Sequence, residues 1–334
     1  RSAKELFVFQ RTPSAIDARN NHTIDTEWFG KLEPGWQRKW MMNFTTLQTM
    51  GYADEDLVMD GWTDISLRIR DRMVEIIKAG GQMGPETLLK AYEDSDDEKM
   101  SEIRDRVDTI VADSATADAL KPWYMHRCKR PCYDDEYLPA FNLPGVELVD
   151  TNGAGINEIN ERGPVFNGQE YPVDVLIYAT GFEVQVTGIY NKIVGEGDLD
   201  LQDKYKDGIQ TLFGIHSHGY PNLFIMGGYQ APFQFNLTFM LRTQGEHIAE
   251  CISYAREHDY KTIDVTKQSE DWWVDQVIMH RGKTNRNKEC TPGYYNFEGE
   301  DNRRQDGNYN GGFYQYYLHM QSIREGMQQH YTFG

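Results

Sequence analysis

The apolar positions of this 334-residue chain alternate between a strand pattern and a helical period. The short apolar run at residues 5–9 predicts a buried strand, and residues 146–150 predict another. Between them, apolar residues recur at helical spacing in two segments, namely Ile65, Ile69, Met73 and Ile76, then Ile103, Val107 and Val111. An acidic stretch at residues 93–98 separates the two segments and is interpreted as a solvated face or loop. The pattern predicts an α/β protein with a helical segment between about residues 25 and 123.

Two segments in the second half of the chain each consist of an apolar run that ends in glycine. Residues 173–182 are almost continuously apolar and include Ala179-Thr180-Gly181, which predicts a buried parallel strand. Residues 221–228 predict a further strand that ends in Gly227 and Gly228, followed by a helix around residues 248–255. Such a turn at a helix N-terminus presents backbone N–H groups to a ligand, and the polar edge of a flavin is a candidate. Short strands around residues 159–171 and a last helix at 316–327 complete the prediction.

The composition argues against several classes of function. The chain has 34 basic and 52 acidic residues, a net charge of −18, which argues against binding nucleic acid or an anionic membrane surface. Its apolar runs are shorter than the ~18 residues of a membrane span. Four cysteines are too few for a disulfide scaffold, so Cys128 and Cys132 are interpreted as free thiols in a reducing, cytoplasmic compartment. The histidines show no metal-ligand spacing, and no metal is expected; those considered are 216, 218, 247, 280 and 319.

Two adjacent cations, Lys129 and Arg130, stand out in this acidic chain, with Pro131 fixing the backbone after them. Neighbouring side chains of an extended segment point to opposite faces, so the two can serve different ligands. A planar guanidinium suits an oxyanion that forms during chemistry, and an ammonium suits a fixed phosphate. We therefore predict that Arg130 is catalytic and that Lys129 anchors a cofactor. The alternative is a surface salt bridge from the pair to Asp134, Asp135 or Glu136.

The first strand ends in Arg11 and Thr12. In a dinucleotide-binding fold, an acid at the end of the second strand binds the ribose of NAD, whereas an arginine there accommodates the 2′-phosphate of NADP. The glycine fingerprint of such a fold lies about 20 residues earlier, before residue 1. We therefore expect this sequence to be the C-terminal part of a longer protein.

Five segments in this order, residues 7–13, 128–131, 148–151, 174–182 and 219–224, resemble the type I Baeyer–Villiger monooxygenases, which are FAD- and NADPH-dependent ketone oxygenases. The resemblance implies two dinucleotide-binding, Rossmann-like domains, present here as their C-terminal portions. Residues 1–25 and 126–180 would belong to the NADP-binding domain, residues 26–125 to a helical insertion, and residues 181–334 to the FAD-binding domain with a mobile C-terminal loop.

The resemblance also implies roles for individual residues. Arg11 and Thr12 match the pair that holds the 2′-phosphate of NADP(H), Lys129 joins them, and Arg130 matches the catalytic arginine. The Ala179-Thr180-Gly181 stretch matches the passage from the NADP domain to the FAD domain. Gly227 and Gly228 are expected to contact FAD. Tyr294 or Tyr295 stands where the family often has a tryptophan in the mobile loop over the site.

The implied reaction inserts one oxygen atom from O2 next to a ketone carbonyl through a C4a-peroxyflavin, giving an ester or lactone. Abundant aromatic residues and the helical insertion favour a bulky, apolar ketone, and the N-terminal half of the same protein is the expected partner. Two alternatives remain open. The protein is a flavin monooxygenase that oxygenates nitrogen or sulfur, or the chain is a structural fragment that is inactive without its N-terminal half.

Overall fold

The computed structural model describes residues 3–49, 51, 53–181, 189–233, 236–281, 290–300, 303 and 305–334. The chain divides into two compact units. Unit 1 comprises residues 1–36, 56–182 and 289–296, and unit 2 comprises residues 37–55, 183–288 and 297–334. Both units contain helices and strands, so the predicted α/β class is confirmed. The domain boundaries given by the family resemblance stay a prediction, because compactness does not reveal which cofactor a unit binds.

Unit 1 contains short strands in three small sheets. Strand β1 (Leu6–Gln10) pairs in parallel with β4 (Val146–Asp150). Strand β2 (Ile16–Asp17) pairs in parallel with β3 (Cys132–Tyr133), so the segment just after Arg130 is held beside the segment just after Thr12. Strands β5 (Glu158–Ile159), β6 (Pro164–Phe166) and β7 (Gln169–Glu170) form an antiparallel sheet. The strands predicted at residues 5–9, 146–150 and 159–171 are thereby confirmed, but the first is only partly buried, since Leu6 is 46% exposed.

Helices form the rest of unit 1: α1 (Thr26–Gly30), α3 (Gly61–Lys78), α4 (Pro85–Ile110), α5 (Ser114–Leu120) and α6 (Tyr137–Ala140). Helix α2 (Trp36–Gln48) begins in unit 1 and continues into unit 2. Ile65 and Ile69 of α3 pack with Ala91 of α4, and Ile103 and Val107 are buried positions of α4, which confirms both helical periods. The acidic stretch lies inside α4 rather than in a loop, and Asp96 is buried, where it accepts the backbone N–H of His126 at 3.0 Å.

A buried ammonium connects α4 to the strand beside the Lys-Arg segment. Lys99 Nζ lies 2.5 Å from Asp17 of β2 and 2.9 Å from Asp64 of α3, and its side chain is 8% exposed. Desolvation lowers the pKa of Lys99, but hydrogen bonds to the two aspartates reverse the shift and leave the pKa raised. Because a buried charge that loses its partner is costly, this pairing holds β2, α3 and α4 together.

We expect Lys99→Met to lower the free energy of unfolding by about 3 kcal/mol, since it removes the buried cation that pairs with Asp17 and leaves Asp64 with Arg68 alone. Urea denaturation followed by circular dichroism measures the change. Lys90→Met on the same helix is the matched control, because the Lys90–Asp94 pair is exposed at the lysine and should contribute less than about 1 kcal/mol. Equal effects of the two substitutions would contradict the structural role of Lys99.

Unit 2 is built on helices α7 (Leu201–Lys204), α8 (Leu237–Glu257), α9 (Lys267–His280), α10 (Phe313–Glu325) and α11 (Met327–His330). Strand β8 (Ile263–Val265) pairs with β9 (Tyr331–Phe333) in an antiparallel ladder. Phe213, Trp273 and Tyr316 lie at the centre of its core and are fully buried. The helices predicted around residues 248–255 and 316–327 are α8 and α10, so both predictions are confirmed. Over the described ranges, no helix has both the length and the apolarity that crossing a membrane requires.

The two apolar strands predicted in the second half of the chain are wrong. Residues 173–181 and 221–228 belong to no strand, and residue 182 lies outside the described residues. Val175, Ile177 and Tyr178 are 73%, 80% and 69% exposed, so the first segment is not buried either. A parallel strand exists through hydrogen bonds to its neighbours, and an apolar composition does not supply those neighbours.

Candidate functional site

The two adjacent cations of the Lys-Arg segment have different neighbours. Lys129 Nζ donates a hydrogen bond to Thr12 Oγ1 and lies 5.3 Å from the centre of the Tyr124 ring. The Arg130 guanidinium lies 5.6 Å from the centre of the Trp62 ring. Residues 126–129 form a turn and a bend before β3, so the extended segment predicted for Lys129 is not found, and the two side chains are separated by this bend instead. The segment can therefore present one cation to each of two ligands.

The nearby carboxylates do not pair with Arg130. Asp134 Oδ1 accepts the backbone N–H groups of Glu136 and Tyr137 at 2.8 and 2.6 Å. The Asp135 carboxylate accepts three backbone N–H groups from residues 19–21 at 2.9–3.1 Å. Within the described part of the chain, Arg130 forms no ion pair, and its side chain is exposed. For Arg130, the salt-bridge alternative is therefore not found among the described residues.

The Trp62 ring is itself held in place by its surroundings. Trp62 is the second residue of α3, and its backbone N–H donates to the helix-capping carboxylate of Asp60 at 2.9 Å. Its ring packs on that of Tyr133, with ring centres 4.9 Å apart. The Tyr133 hydroxyl donates to the Gly61 carbonyl at 2.8 Å, and a Cβ at Gly61 would meet the Tyr133 ring at 2.0 Å. Glycine at position 61 is therefore required for this packing, which fixes the ring over which Arg130 lies.

Cys128, two residues before Arg130, is bonded to Cys290 in a disulfide that spans 162 residues of sequence, with Cα atoms 5.2 Å apart. The prediction that Cys128 is a free thiol is therefore wrong, whereas Cys132 is free, as predicted. The sequence does not reveal this bond, because Cys290 is distant along the chain and no spacing rule connects it with Cys128. The bond brings the segment that carries Tyr294 and Tyr295 next to the Lys-Arg segment, and the Tyr295 phenol interacts with Arg130 through charge and hydrogen bonding.

Arg11 and Thr12 directly follow β1, and Thr12 is in contact with Lys129. The loop after them is fixed by Tyr124, whose hydroxyl donates to the Pro13 carbonyl and accepts the Ala15 N–H, each at 3.0 Å. An exposed guanidinium, a hydroxyl and an ammonium on this short stretch form a donor set that suits a phosphate group. The residues fit the 2′-phosphate of NADP, although that role stays a prediction.

The glycines predicted to contact cofactors are arranged differently from the expectation. Gly227 and Gly228 do not lead directly into a helix, because α8 begins nine residues later, at Leu237. The Gly227 N–H donates to Gln244 Oε1 at 3.2 Å, and the Gly228 carbonyl accepts from Asn308 Nδ2 at 2.7 Å. The stretch Ala179-Thr180-Gly181 is exposed, with Gly181 at a positive φ of 92°. The cofactor contacts predicted for these five residues stay predictions.

Comparisons with known proteins show which proteins this chain resembles. No family model matches it. Pentalenolactone D synthase from Streptomyces arenae is 40% identical over 304 residues, which are 89% of this chain and 51% of that protein. Baeyer–Villiger monooxygenase ATR8 from Stachybotrys chlorohalonatus is 39% identical over 317 residues, 93% of this chain and 50% of that protein. The solved polycyclic ketone monooxygenase from Thermothelomyces thermophila superposes with a TM-score of 0.85 at 33% identity, covering 99% of this chain and 56% of that one.

The chain belongs to the type I Baeyer–Villiger monooxygenase family. It spans about half the length of the relatives that it matches. The structure of OTEMO, solved with FAD and NADP, shares the fold of this family member with a TM-score of 0.73 at 21% identity. The family predicted from five sequence segments is thereby confirmed.

A cluster that the sequence did not predict lies in unit 2 of this Baeyer–Villiger family chain. His216, His247 and Cys251 are buried, and their potential ligand atoms all lie within 4.8 Å of one another. The His247 Nδ1 atom faces Arg324 Nε at 3.4 Å, so the Nε2 atom carries the proton and donates to Tyr331 Oη at 2.8 Å. Burial lowers the pKa of His247 to about 3. We interpret the cluster as hydrogen-bonded core packing, since both ring nitrogens of His247 have protein partners.

His126 lies in the same segment as the catalytic candidate of this family member, four residues before Arg130. Its ring is buried, and neither ring nitrogen has a hydrogen-bond partner among the described residues. Burial, together with the positive charges of Arg127 and Lys99, lowers the pKa of His126 to about 4. The folded protein therefore keeps this histidine neutral at pH values where the unfolded chain binds a proton.

We expect the free energy of unfolding to fall as the pH drops from about 6.5 towards 4, because protons bind the unfolded form of His126 first. The contribution of this single group reaches about 3 kcal/mol at pH 4. His126→Phe should remove that part of the pH dependence in urea denaturation series at pH 7 and pH 4.5. His22→Phe, at an exposed position, is the matched control and should leave the dependence unchanged. An unaltered pH dependence in His126→Phe would contradict the assignment.

Proposed function

We propose that this chain is part of an FAD- and NADPH-dependent monooxygenase that inserts one oxygen atom next to a ketone carbonyl. The overall reaction converts a ketone, O2, NADPH and a proton to an ester or lactone, NADP+ and water. The names of the relatives, which include Baeyer–Villiger monooxygenases and a FAD-binding monooxygenase, support the reaction class. The observation that carries the proposal is the exposed Arg130, held against an aromatic ring and paired with no carboxylate among the described residues.

Arg130 acts on the charge that forms on the substrate. As the ketone carbonyl is attacked, its oxygen becomes negative, and a guanidinium in place beforehand stabilises that charge without reorganisation. A carboxylate salt bridge would offset much of this effect. FAD, when bound, supplies the activated oxygen that attacks the carbonyl, and NADPH supplies the electrons. A site closed to water protects the activated oxygen from unproductive loss.

The cofactor contacts are proposed residue by residue. Arg11, Thr12 and Lys129 would hold the 2′-phosphate of NADPH, which the contact between Lys129 and Thr12 supports. Ala179, Thr180 and Gly181 would form the passage between the two cofactor domains. Gly227 and Gly228 would lie at the flavin. Both domains would be Rossmann-like, and we propose that the N-terminal half of the protein completes them.

We propose a bulky ketone as the substrate, with Tyr294 and Tyr295 lining its site. The neighbour with a TM-score of 0.85 is named a polycyclic ketone monooxygenase, which supports a ketone of this size. A panel of a fused-ring ketone, a thioether and an amine, tested on the full-length protein, separates this reaction from oxygenation at sulfur or nitrogen. Product from the thioether or amine with none from the ketone would overturn the proposal.

We expect Arg130→Ala to abolish ester formation while NADPH still reduces the flavin. Loss of one preorganised charge donor typically costs about 3–4 kcal/mol, or 10²–10³-fold in rate. Gas chromatography of the ester and bleaching of the flavin absorbance by NADPH measure the two steps separately.

Arg162→Ala is the control for Arg130→Ala, because it removes an exposed arginine from the same unit. It should leave both steps at the wild-type rate. An Arg130→Ala protein with a normal ester yield would end the proposed role of the guanidinium.

A second prediction concerns cofactor choice. We expect Lys129→Ala to raise the KM for NADPH by about 10- to 100-fold, because a hydrogen bond to a charged group contributes about 1.5–3 kcal/mol. The KM for NADH, which lacks the 2′-phosphate, should change little, and kcat with saturating NADPH should be retained. Steady-state kinetics with the two cofactors make this comparison. An equal rise for both cofactors would place Lys129 away from the 2′-phosphate.

A further inference from the structure

The Arg130 guanidinium lies between two structural elements that are far apart in sequence. One is the start of α3, which supplies the Trp62 ring at 5.6 Å. The other is the turn at residues 290–296, which the disulfide to Cys128 fixes beside the Lys-Arg segment. All of these residues belong to unit 1. Contacts from two elements that are each anchored separately restrict where a long, exposed side chain can lie.

The turn at residues 290–296 is tied together from within. Asn296 is buried, and its Nδ2 group donates to the carbonyl of Cys290 at 3.1 Å. Its Oδ1 atom accepts the Gly293 N–H at 2.9 Å, and its own backbone N–H donates to the Gly293 carbonyl at 3.1 Å. A turn closed in this way transmits the position of Cys290 to Tyr295. The Tyr295 phenol is half-buried, and burial raises its pKa, so it is neutral where it meets the guanidinium.

We propose that Trp62 and Tyr295 are positioning residues for Arg130, and that the Cys128–Cys290 disulfide holds Tyr295 in that position. This inference rests on the proposed function of Arg130. The aromatic ring attracts a guanidinium through its quadrupole, and the neutral phenol offers a hydrogen bond. Neither group carries a negative charge. The cation is thus oriented while its charge stays available to an anion, which a carboxylate partner would not permit.

The kinetic test measures coupling, defined as ester formed per NADPH consumed, in the full-length protein loaded with FAD. Trp62→Leu should lower coupling by about 2- to 30-fold, the range that a cation–π contact spans, and Tyr295→Leu should lower it by about 10-fold or more, since it removes a hydrogen bond to a charged group. The rate of flavin reduction should be unchanged in both. Trp62→Phe keeps a ring and should recover part of the loss, whereas Tyr295→Phe loses the hydroxyl that bonds Arg130 and should not. They also serve as better-folded variants if a leucine protein fails to fold.

The matched controls remove similar side chains elsewhere. Trp123→Leu takes away an exposed tryptophan that lies 4.6 Å from Arg104, a cation–π pair in the same unit. Tyr314→Leu removes a tyrosine that is 67% exposed. Both controls should keep wild-type coupling. Loss of ester in Arg130→Ala with normal coupling in Trp62→Leu and Tyr295→Leu would overturn the positioning roles and leave the proposed function standing. A normal ester yield in Arg130→Ala would overturn the function itself.

A second test needs no cofactor and examines whether the disulfide holds the turn at residues 290–296 in place. Dithiothreitol gives two electrons and two protons to the Cys128–Cys290 bond, leaving two thiols and the cyclic, oxidised form of the reagent. We expect chymotrypsin to cleave after Tyr294 or Tyr295 faster in the reduced protein and in Cys290→Ser, because the turn is then released. Cys132→Ser, which removes a free thiol from the same segment, should cleave at the wild-type rate. Equal cleavage of reduced and oxidised protein would overturn the role of the disulfide.

Discussion

A guanidinium held on an aromatic ring, rather than by an acid, is the feature around which unit 1 is arranged. The chain carries a net charge of −18, so a carboxylate partner for Arg130 would be easy to find. The two acids nearest in sequence are instead bound to backbone N–H groups, Asp134 at the start of α6 and Asp135 at residues 19–21. A carboxylate that already accepts two or three N–H groups is a weaker partner for an exposed cation. The local backbone thus prevents the salt bridge that composition favours.

Helices α3 and α4 support the ring that Arg130 contacts. Trp62 begins α3, α3 packs on α4, and Lys99 of α4 binds Asp17 beside β3. Helices α3 and α4 are therefore a structural support for the Lys-Arg segment, and their contacts with it include the buried Lys99 ammonium and the tilted pair of Trp62 and Tyr133 rings. The disulfide adds a second support from the far end of the chain. In the chain-entropy account, a cross-link over so long a loop stabilises by roughly 4–5 kcal/mol.

Sequence patterns that extend over a few turns predicted the elements whose formation depends on neighbouring residues. The helical periods located α3, α4, α8 and α10, because an amphipathic helix shows its buried face in a few turns of sequence. The strands at residues 173–182 and 221–228 were mispredicted, since a strand depends on partners elsewhere in the chain. The residues of the candidate site likewise fall into those that the sequence predicted and those that it did not. Lys129 and Arg130 were recognisable from adjacent charges and a family motif, and the contact of Lys129 with Thr12 agrees with their predicted grouping. Trp62, Cys290 and the buried His216 cluster depend on contacts that span tens of residues or more, and no spacing rule reveals them.

Both cations of the segment use the same physical arrangement. Lys129 lies 5.3 Å from the Tyr124 ring, and Arg130 lies 5.6 Å from the Trp62 ring. Two adjacent positive charges repel each other, and contacts with different neighbours hold the two side chains apart. Aromatic rings then attract each cation by a modest amount, about 0.5–2 kcal/mol, without cancelling its charge. A phosphate on one side and a developing oxyanion on the other would each meet a cation that is already in place. A carboxylate partner would hold the Arg130 side chain more tightly, but that ion pair would first have to be broken for an anion to bind.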